Sequence, residues 1–163
     1  MKIAVFPGSF DPFTIGHKDV LISSLNLFDK VIIAVGYNST KKGFLPVEER
    51  IKVIEDSIAD LKANGSNIEV ISYTGLTVDM CREHNAQFIV RGVRTTADFE
   101  MESVIAQANK RLAPEISTVF VNATNENSFV SSTIVRDIVL NGGDPSEFMS
   151  PGVDIYKYLN NQL

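Results

Sequence analysis

Residues 8–17, with the sequence GSFDPFTIGH, have the composition of a phosphate-binding segment. Gly8 and Ser9 are small enough to let backbone N–H groups approach an anion closely. Gly16 and His17 open a predicted helix, and the free N–H groups and dipole of a helix N-terminus favour phosphate. A histidine here can donate a hydrogen bond or a positive charge to a phosphoryl group. A lone histidine is more often structural, so it is the ten-residue context that favours phosphate chemistry.

Hydroxyl-bearing residues near the other end of the chain form a second candidate anion site. Ser131, Ser132 and Thr133 begin a predicted helix that also contains Arg136. Hydroxyl groups and unpaired backbone N–H groups at a helix N-terminus all donate to anionic oxygens, so together they can surround a triphosphate.

Two basic segments follow predicted strands and could hold further phosphates. Residues 41–42 are a lysine pair, and residues 91–94 have the sequence RGVR. Two arginines around Gly92 can grip phosphate with their forked guanidinium groups, while the glycine lets the backbone approach. The structural alternatives are a solvated lysine pair in a loop and surface salt bridges from the arginines to Asp98 and Glu100.

These candidate residues need a scaffold that brings them together, and the hydrophobic pattern predicts one. Short runs rich in Val, Ile and Phe predict strands at residues 3–6, 31–35, 68–72, 88–90 and 118–121. Amphipathic stretches lie between them, the clearest of which follows Pro46 and ends before Gly65. This alternation predicts an α/β fold in one domain spanning residues 1–163, a Rossmann-like parallel sheet of five strands with helices on both faces. Such sheets bind ligands beyond the carboxyl ends of their strands, where the candidate residues lie.

The chain is predicted to become helical after the last strand. Residues 131–141 are expected to form a helix that ends at Gly142 and Gly143, because glycine favours the backbone conformation that follows a helix. Residues 153–161 are expected to form a terminal helix.

Composition excludes several classes of protein. The chain has 15 Lys and Arg against 20 Asp and Glu, for a formal net charge of −5. A nonspecific nucleic-acid binder is expected to be basic, so no nucleic-acid partner is expected. No run approaches the roughly 20 apolar residues of a membrane span, and the apolar run at residues 3–6 is too short for the core of a signal peptide. With Cys81 as its one cysteine, the protein is expected to be cytoplasmic, with no disulfide and no membrane partner.

The two candidate anion sites together resemble the signatures of a known superfamily. Residues 8–12 followed by 14–17 are similar to the H/T-x-G-H segment of nucleotidyltransferases, which transfer a nucleoside monophosphate from ATP or CTP to an acceptor and release pyrophosphate. Residues 131–136 resemble the second signature of that superfamily. With the lysine pair, RGVR, the following ADFE and the final SFVSST included, nearly the whole chain closely resembles bacterial phosphopantetheine adenylyltransferases.

That resemblance implies a reaction, a cofactor and an assembly. Members of the family join ATP and 4′-phosphopantetheine to give dephospho-coenzyme A and pyrophosphate in coenzyme A biosynthesis, use Mg²⁺ and are typically homohexamers. The acceptor phosphate is largely dianionic near neutral pH, since its second pKa is about 6, and needs no general base. It is expected to attack the α-phosphorus in line, with His17 and a Mg²⁺ ion held mainly by the ATP phosphates stabilising the transition state.

The resemblance also assigns residues to each substrate. It implies catalytic roles for His17, Lys41 and Arg91. It implies that phosphopantetheine is held by Ser9, Lys41, Thr77 and Arg91. Because the pantetheine arm is uncharged and partly apolar, an apolar groove is expected near Leu76 and Thr77. It implies a longer set at ATP, namely Ser9, Phe10, His17, Gly92, Val93, Arg94, Glu102, Asn127, Ser128, Phe129, Val130, Ser131, Ser132 and Thr133.

Three positions differ from the usual pattern of the family. Ser9 stands where many relatives have Thr, a change that keeps the hydroxyl group. Met101 and Asn127 stand where relatives often have aromatic residues, so the resemblance does not extend an aromatic stacking contact to them.

Two other functions are weighed against this one. A nicotinamide or nicotinate mononucleotide adenylyltransferase shares the first signature, but generally has histidine where Thr14 stands and lacks the lysine pair and RGVR. A non-catalytic nucleotide-binding module would keep the fold, but would need neither His17 nor the hydroxyl groups of residues 131–133.

Overall fold

The computed structural model describes residues 1–160, which form a five-stranded parallel sheet and six α-helices. The strands are β1 (Ile3–Gly8), β2 (Lys30–Gly36), β3 (Ile68–Tyr73), β4 (Phe88–Val93) and β5 (Ser117–Asn122). The helices are α1 (Ile15–Leu25), α2 (Val47–Ala63), α3 (Thr77–Glu83), α4 (Thr96–Leu112), α5 (Ser132–Leu140) and α6 (Ile155–Asn160). The predicted α/β fold with a five-stranded parallel sheet is confirmed.

The order of the strands, β3-β2-β1-β4-β5, reverses between β1 and β4. β1 pairs with β2 along its whole length. Its pairing with β4 ends after Val5 and Ile89. The two central strands therefore separate toward their carboxyl ends, and this opens the crevice in which open α/β sheets bind their ligands.

Alternating side chains of β2 show how the sheet is buried on both faces. Val31, Ile33 and Val35 belong to one core cluster, together with apolar residues of α1, α2, α5 and α6. Ile32 and Ala34 belong to a second cluster with residues of α3. Successive side chains of a strand point to opposite faces, and full burial of a large apolar one stabilises the fold by about 1.5–3 kcal/mol. Because both faces of the sheet are buried, the central strands rigidly support the residues at their ends.

Two strands run past their predicted ends. The prediction stops at residues 6 and 90, whereas β1 continues to Gly8 and β4 to Val93. Pro7, Gly8 and Gly92 are typical of turns, but here their backbone stays in register with the neighbouring strand. Arg91 and its glycine neighbour therefore lie within β4, whereas the sequence places them after it.

Helix boundaries follow the predicted signals closely. α2 begins directly after Pro46 and ends at Ala63, before Gly65. α5 is capped by the side chain of Ser131, and Gly142 beyond it has a φ of +75°, a conformation that suits glycine. The predicted end of this helix at Gly142 is therefore confirmed.

The terminal helix is shorter than predicted at its start. It begins at Ile155 instead of residue 153, because the Asp154 carboxylate accepts a hydrogen bond from the backbone N–H of Tyr156, as a helix cap does. The predicted last residue, Asn161, lies outside the described residues. Within residues 1–160, no helix is both long and apolar enough to span a bilayer.

Candidate active site

Two adjoining cavities lie over the crevice between β1 and β4. The first, here named the α1 cavity, has a volume of about 330 Å³ and is lined by the starts of α1 and α5. The second, the α3 cavity, has a volume of about 300 Å³ and is lined by residues of α3 and α4. The residues that line both are Pro7, Gly8, Ser9, Arg91 and Glu102. Ligands in the two cavities would therefore meet beside Ser9 and Arg91.

His17 lines the α1 cavity and is held there by the start of helix α1. The Thr14 hydroxyl accepts a hydrogen bond from the backbone N–H of His17 at 3.4 Å. In return, the backbone N–H of Thr14 donates to Nδ1 of His17 at 2.9 Å. This reciprocal capping box makes Nδ1 an acceptor, so the proton of the neutral ring is on Nε2. The Nε2–H group is left to donate to a ligand in the cavity.

The surroundings of His17 keep its ring neutral. The ring lies 5.0 Å from that of Phe10 and 5.4 Å from that of Phe13, measured between centroids. Burial is the largest cause that lowers the pKa of His17 to about 3, and the positive charges of Arg91 and Arg94 also lower it. Of the two roles that the sequence allows, the geometry therefore favours a neutral hydrogen-bond donor over a cation.

The loop between β1 and α1 is shaped around Phe10. Its φ is +45°, in the left-handed region that residues with side chains rarely adopt. Its ring is buried, and a Cβ on Gly8 would come within 3.0 Å of it. Ring packing thus holds a strained backbone in place beside the cavity, and a glycine is needed for the close approach.

Arg91 and Glu102 line both cavities and are bound to each other. The guanidinium group donates from Nε at 2.9 Å and from Nη2 at 2.7 Å to the two carboxylate oxygens of Glu102. Its Nη1 donates to the carbonyl oxygen of Pro7, across the gap where β1 and β4 separate. Of the five N–H groups of a guanidinium, two remain for a phosphate. The salt bridge that the sequence suggests with Asp98 or Glu100 is wrong for Arg91.

Arg94 links the end of β4 to the segment before α5. Its Nη1 donates to the carbonyl oxygen of Val130 at 3.1 Å, and its Nε lies 3.4 Å from the Asp98 carboxylate. For this arginine the suggested salt bridge is therefore present. Nearby, a Cβ on Gly92 would lie 2.8 Å from a methyl group of Val20, so glycine lets β4 pack against α1.

The first turn of α5 lines the α1 cavity with Ser131, Ser132 and Thr133. One of their three hydroxyl groups is already used as a donor, since Ser132 donates to the carbonyl oxygen of Pro12 at 2.8 Å and so ties α5 to the first loop. Ser131 accepts a hydrogen bond from the backbone N–H of Ile134, and Thr133 accepts one from Arg136. These two hydroxyl groups keep their own protons, so they can donate to an anion together with free backbone N–H groups of the turn.

The α3 cavity combines an apolar wall with a few polar groups. Ser9, Thr77 and Arg91, which the resemblance assigns to phosphopantetheine, all line it. The expected apolar groove near Leu76 and Thr77 is present at Thr77, but Leu76 is not part of it, since that side chain precedes α3 and is 55% exposed. The apolar wall is instead formed by Ile89, Ile105 and Ala106.

Several predicted site residues lie outside the lining of both cavities: Lys41, Val93, Ser128 and Phe129. Lys41 is exposed in the loop between β2 and α2. The Val93 side chain is buried in β4, and the Phe129 ring packs edge-on against Phe148. Their assignment to the substrates stays a prediction. The other predicted site residues line one cavity or both.

A buried ion pair that the sequence does not single out supports the site from below. Asp11 accepts hydrogen bonds from the backbone N–H groups of Phe44 and Leu45, both at 2.8 Å. Nε of Arg50 lies 3.3 Å from the same carboxylate, and its Nη1 donates to the carbonyl oxygen of Ser9 at 3.3 Å. The pair thus connects the first loop to the loop before α2.

One signal could have revealed this pair. On helix α2, Arg50 is three residues after Val47 and four before Ile54, a spacing that places it on the buried face. A charged residue in such a position requires a partner of opposite charge. The sequence does not say which, because Asp11 is 39 positions away.

Carboxylates near the cavities are already paired. Glu102, Asp98 and Asp11 each lie within ion-pair distance of an arginine. Within residues 1–160, no group of three or more His, Cys, Asp or Glu side chains could hold a metal ion.

Comparison with known proteins adds independent findings. Residues 5–138 match the family model described as cytidylyltransferase-like. The chain is 45% identical over 155 residues to the phosphopantetheine adenylyltransferase of Flavobacterium psychrophilum, covering 95% of this chain and 99% of that one. It is 42% identical over 157 residues to that of Flavobacterium johnsoniae, covering 96% and 100%.

Among solved structures, the fold is similar to that of a bifunctional NMN adenylyltransferase/ADP ribose pyrophosphatase from Francisella tularensis. The TM-score is 0.74 at 21% identity, and the match covers 98% of this chain and 49% of the other. At that identity the likeness concerns the fold alone.

Sequence identity to the two curated relatives extends over nearly the full length of each protein. The matching family model spans both signature segments, which the fold brings together in the α1 cavity. This chain therefore belongs to the phosphopantetheine adenylyltransferases, a family of nucleotidyltransferase enzymes within the cytidylyltransferase-like group.

Proposed function

We propose that this enzyme transfers the adenylyl group of ATP to 4′-phosphopantetheine, giving dephospho-coenzyme A and pyrophosphate in coenzyme A biosynthesis. The observation that carries the proposal is the meeting of the two cavities at Ser9 and Arg91. Two substrates that react with each other need neighbouring sites with a shared polar boundary. The α1 cavity offers donors for a triphosphate, and the apolar wall of the α3 cavity suits the uncharged pantetheine arm.

The acceptor phosphate acts as its own nucleophile. One of its oxygens bonds to the α-phosphorus of ATP while the bond from that phosphorus to the bridging oxygen breaks, and pyrophosphate leaves with that oxygen. No proton has to be removed, because the monoester is largely dianionic near neutral pH, with a second pKa of about 6. A site whose histidine has a pKa lowered to about 3 suits such a reaction, since that ring is a poor base.

In this mechanism His17 donates its Nε2–H to an oxygen of the α-phosphate as negative charge develops there. The capping box with Thr14 fixes the ring before the substrate arrives, so no reorganisation is needed during the reaction. The guanidinium group of Arg94 and the first turn of α5 hold the remaining phosphates of ATP.

On the acceptor side, Arg91 donates its two remaining N–H groups to the phosphate of phosphopantetheine. Its bonds to Glu102 and Pro7 fix the guanidinium group at the boundary of the two cavities. Lys41 supplies a second positive charge once its exposed loop turns toward the cleft. Both groups act by position and charge.

We propose Mg²⁺ as the metal cofactor, bound mainly through the phosphates of ATP. The carboxylates near the cavities are paired with arginines, so oxygen ligands from the nucleotide and water suit the ion better than a protein cage. When bound, Mg²⁺ neutralises part of the charge on the phosphates.

We also propose a cytoplasmic homohexamer. The apolar side chains Phe99, Val104 and Leu112 of α4 are about half exposed or more and lie outside the lining of both cavities, and β5 is an edge strand next to that helix. Exposed apolar groups on one helix and an unpaired strand edge are typical of a surface that another copy covers.

Pyrophosphate release tests the proposed reaction. With ATP and Mg²⁺, the protein should release pyrophosphate with 4′-phosphopantetheine and hardly at all with nicotinamide mononucleotide. Pantetheine without its phosphate should fail, because it lacks both the nucleophile and the anionic group for Arg91 and Lys41. Two lost charge-assisted contacts, at about 1.5–3 kcal/mol each, would already weaken binding at least a hundredfold. Efficient use of nicotinamide mononucleotide, or no reaction with phosphopantetheine while ATP still binds, would contradict the proposal.

A further inference from the structure

One carboxylate attaches helix α1 to the segment that follows β5. Oδ2 of Asp19 accepts hydrogen bonds from the hydroxyl of Thr124 at 2.8 Å and from Nδ2 of Asn127 at 2.6 Å. We call residues 123–131 the nucleotide loop, because several of them line the α1 cavity. Asp19 lies two residues after His17 but outside the lining of both described cavities.

Besides the ring contact of Phe129 with Phe148, other side-chain hydrogen bonds hold the nucleotide loop, but these involve groups at the cavity itself. Arg94, which donates to the carbonyl oxygen of Val130, lines the α1 cavity, as does Ser132, which fixes the residue after the loop. The loop also passes close to the first turn of α1, where a Cβ on Gly16 would lie 3.4 Å from the Val130 oxygen. Among these groups, Asp19 is the one that can be changed without removing a cavity-lining side chain.

We propose that Asp19 is a positioning residue that holds the nucleotide loop in its ATP-binding conformation, with Asn127 acting as the tether of that loop to α1. The inference rests on the proposed function only in taking ATP as the ligand of the α1 cavity. The amide nitrogen of Asn127 is engaged by Asp19, so its position in the cavity wall is set by this bond.

Loop ordering and charge predict opposite effects of removing this carboxylate. If the nucleotide loop is in its binding conformation only part of the time, the apparent affinity for ATP falls in proportion to that fraction. Loss of the bonds to Asp19 should therefore weaken ATP binding. Asp19 is also an anion near a site for a polyanion, so loss of its charge alone should strengthen ATP binding. The direction of the change therefore decides which effect dominates.

The test measures MgATP affinity by calorimetry in the absence of any acceptor. Asp19→Asn should weaken binding by about five- to twentyfold, while the KM for phosphopantetheine stays within about twofold. Asp60→Asn is the matched control, because Asp60 of α2 pairs at 2.9 Å with Lys18, the residue next to Asp19 on α1, and lies outside the lining of both cavities. It should leave ATP affinity unchanged.

A second variant separates positioning from charge. Thr124→Val removes one of the two bonds from the loop side, at a residue outside the lining of both cavities, and it leaves the Asp19 charge and Asn127 in place. It should weaken MgATP binding in the same direction as Asp19→Asn but by less, about two- to fivefold, and it also serves as the test if Asp19→Asn does not fold. Unchanged or tighter ATP binding in either folded variant would overturn the proposal. Because this assay needs no acceptor, failure to adenylylate phosphopantetheine would count only against the proposed function.

Discussion

The nucleotide loop and the loop that carries Lys41 differ in how firmly the fold holds them. The first follows β5 and is bound to Asp19, to Arg94 and, at its end, through Ser132. The second, which we call the lysine loop (residues 37–45), follows β2 on the other side of the crevice and is bound to Asp11 near its carboxyl end. The proposed ATP half of the site is thus built before a ligand arrives, whereas Lys41, the proposed cation of the acceptor half, stays in solvent.

This difference has a physical cause. Hydrogen bonds to Asp19 and from Arg94 hold the nucleotide loop in the free protein. The loop is therefore ordered during folding and does not have to become ordered when a ligand binds. A solvated lysine keeps its water and its rotamer freedom until a phosphate is present. The proposed site therefore combines a fixed donor, His17, with a solvent-exposed charge, Lys41.

The largest effect is expected at His17 in the α1 cavity. His17→Ala should lower kcat by about 10²–10³, because it removes one donor to charge that develops in the transition state. ATP binding should weaken little, as the nucleotide loop keeps its ties. Steady-state kinetics with direct ATP titration would test this, with His84→Ala, at the end of α3, as a fully active control. Near-normal turnover would remove His17 from the mechanism.

A smaller effect, on the KM of one substrate only, should distinguish the proposed acceptor half of the site from the proposed ATP half. Lys41→Ala should raise the KM for phosphopantetheine by about tenfold, since a charge-assisted contact to its phosphate is lost, while the KM for ATP stays within about twofold. Lys42→Ala is the matched control, one residue along the same exposed loop. Equal changes for both substrates, or none, would make the lysine pair a solvated surface feature.

The smallest effect concerns pH and stability. Burial lowers the pKa of His17 from 6.5 to about 3, so between these values the unfolded chain binds a proton that the folded chain does not. Stability from this group is therefore lost as pH falls below about 6.5. Between pH 7 and pH 5.5, the wild type should lose about 1.2 kcal/mol more of its free energy of unfolding than His17→Gln. Urea denaturation at both pH values would measure this, and equal losses would mean that the ring is solvated.

The sequence predicts the fold well because each strand is a short, continuous apolar run between amphipathic helices. It places strand ends less well, since Pro7 and Gly92 are typical of turns even though both remain paired here. The order of the strands in the sheet cannot be predicted from the local sequence pattern. That order is what brings the segments at residues 8–17 and 131–133 into one cavity.

Site residues divide in the same way. Local features such as the capping of α1 by Thr14 and of α5 by Ser131 are encoded within a few residues and can be predicted. Pairs such as Arg91 with Glu102 join a strand to a helix, and only the packed structure shows which acid meets which base. Asp19 illustrates the limit most clearly, because its partner Asn127 is 108 positions away.

The hydrogen bond from the backbone N–H of Phe44 to Asp11 fixes one point of the lysine loop and so limits how far Lys41 can move. Lys41 lies three residues before that anchor, so its Cα stays within about 10 Å of it at full extension. A Cβ on Gly43 would lie 1.8 Å from Nη2 of Arg50, so the backbone between Lys41 and Phe44 packs directly against the buried guanidinium group. A charge confined to so small a volume has an effective local concentration of at least about millimolar order. Residues inserted between Lys41 and Gly43 would lower this effective concentration without removing a contact.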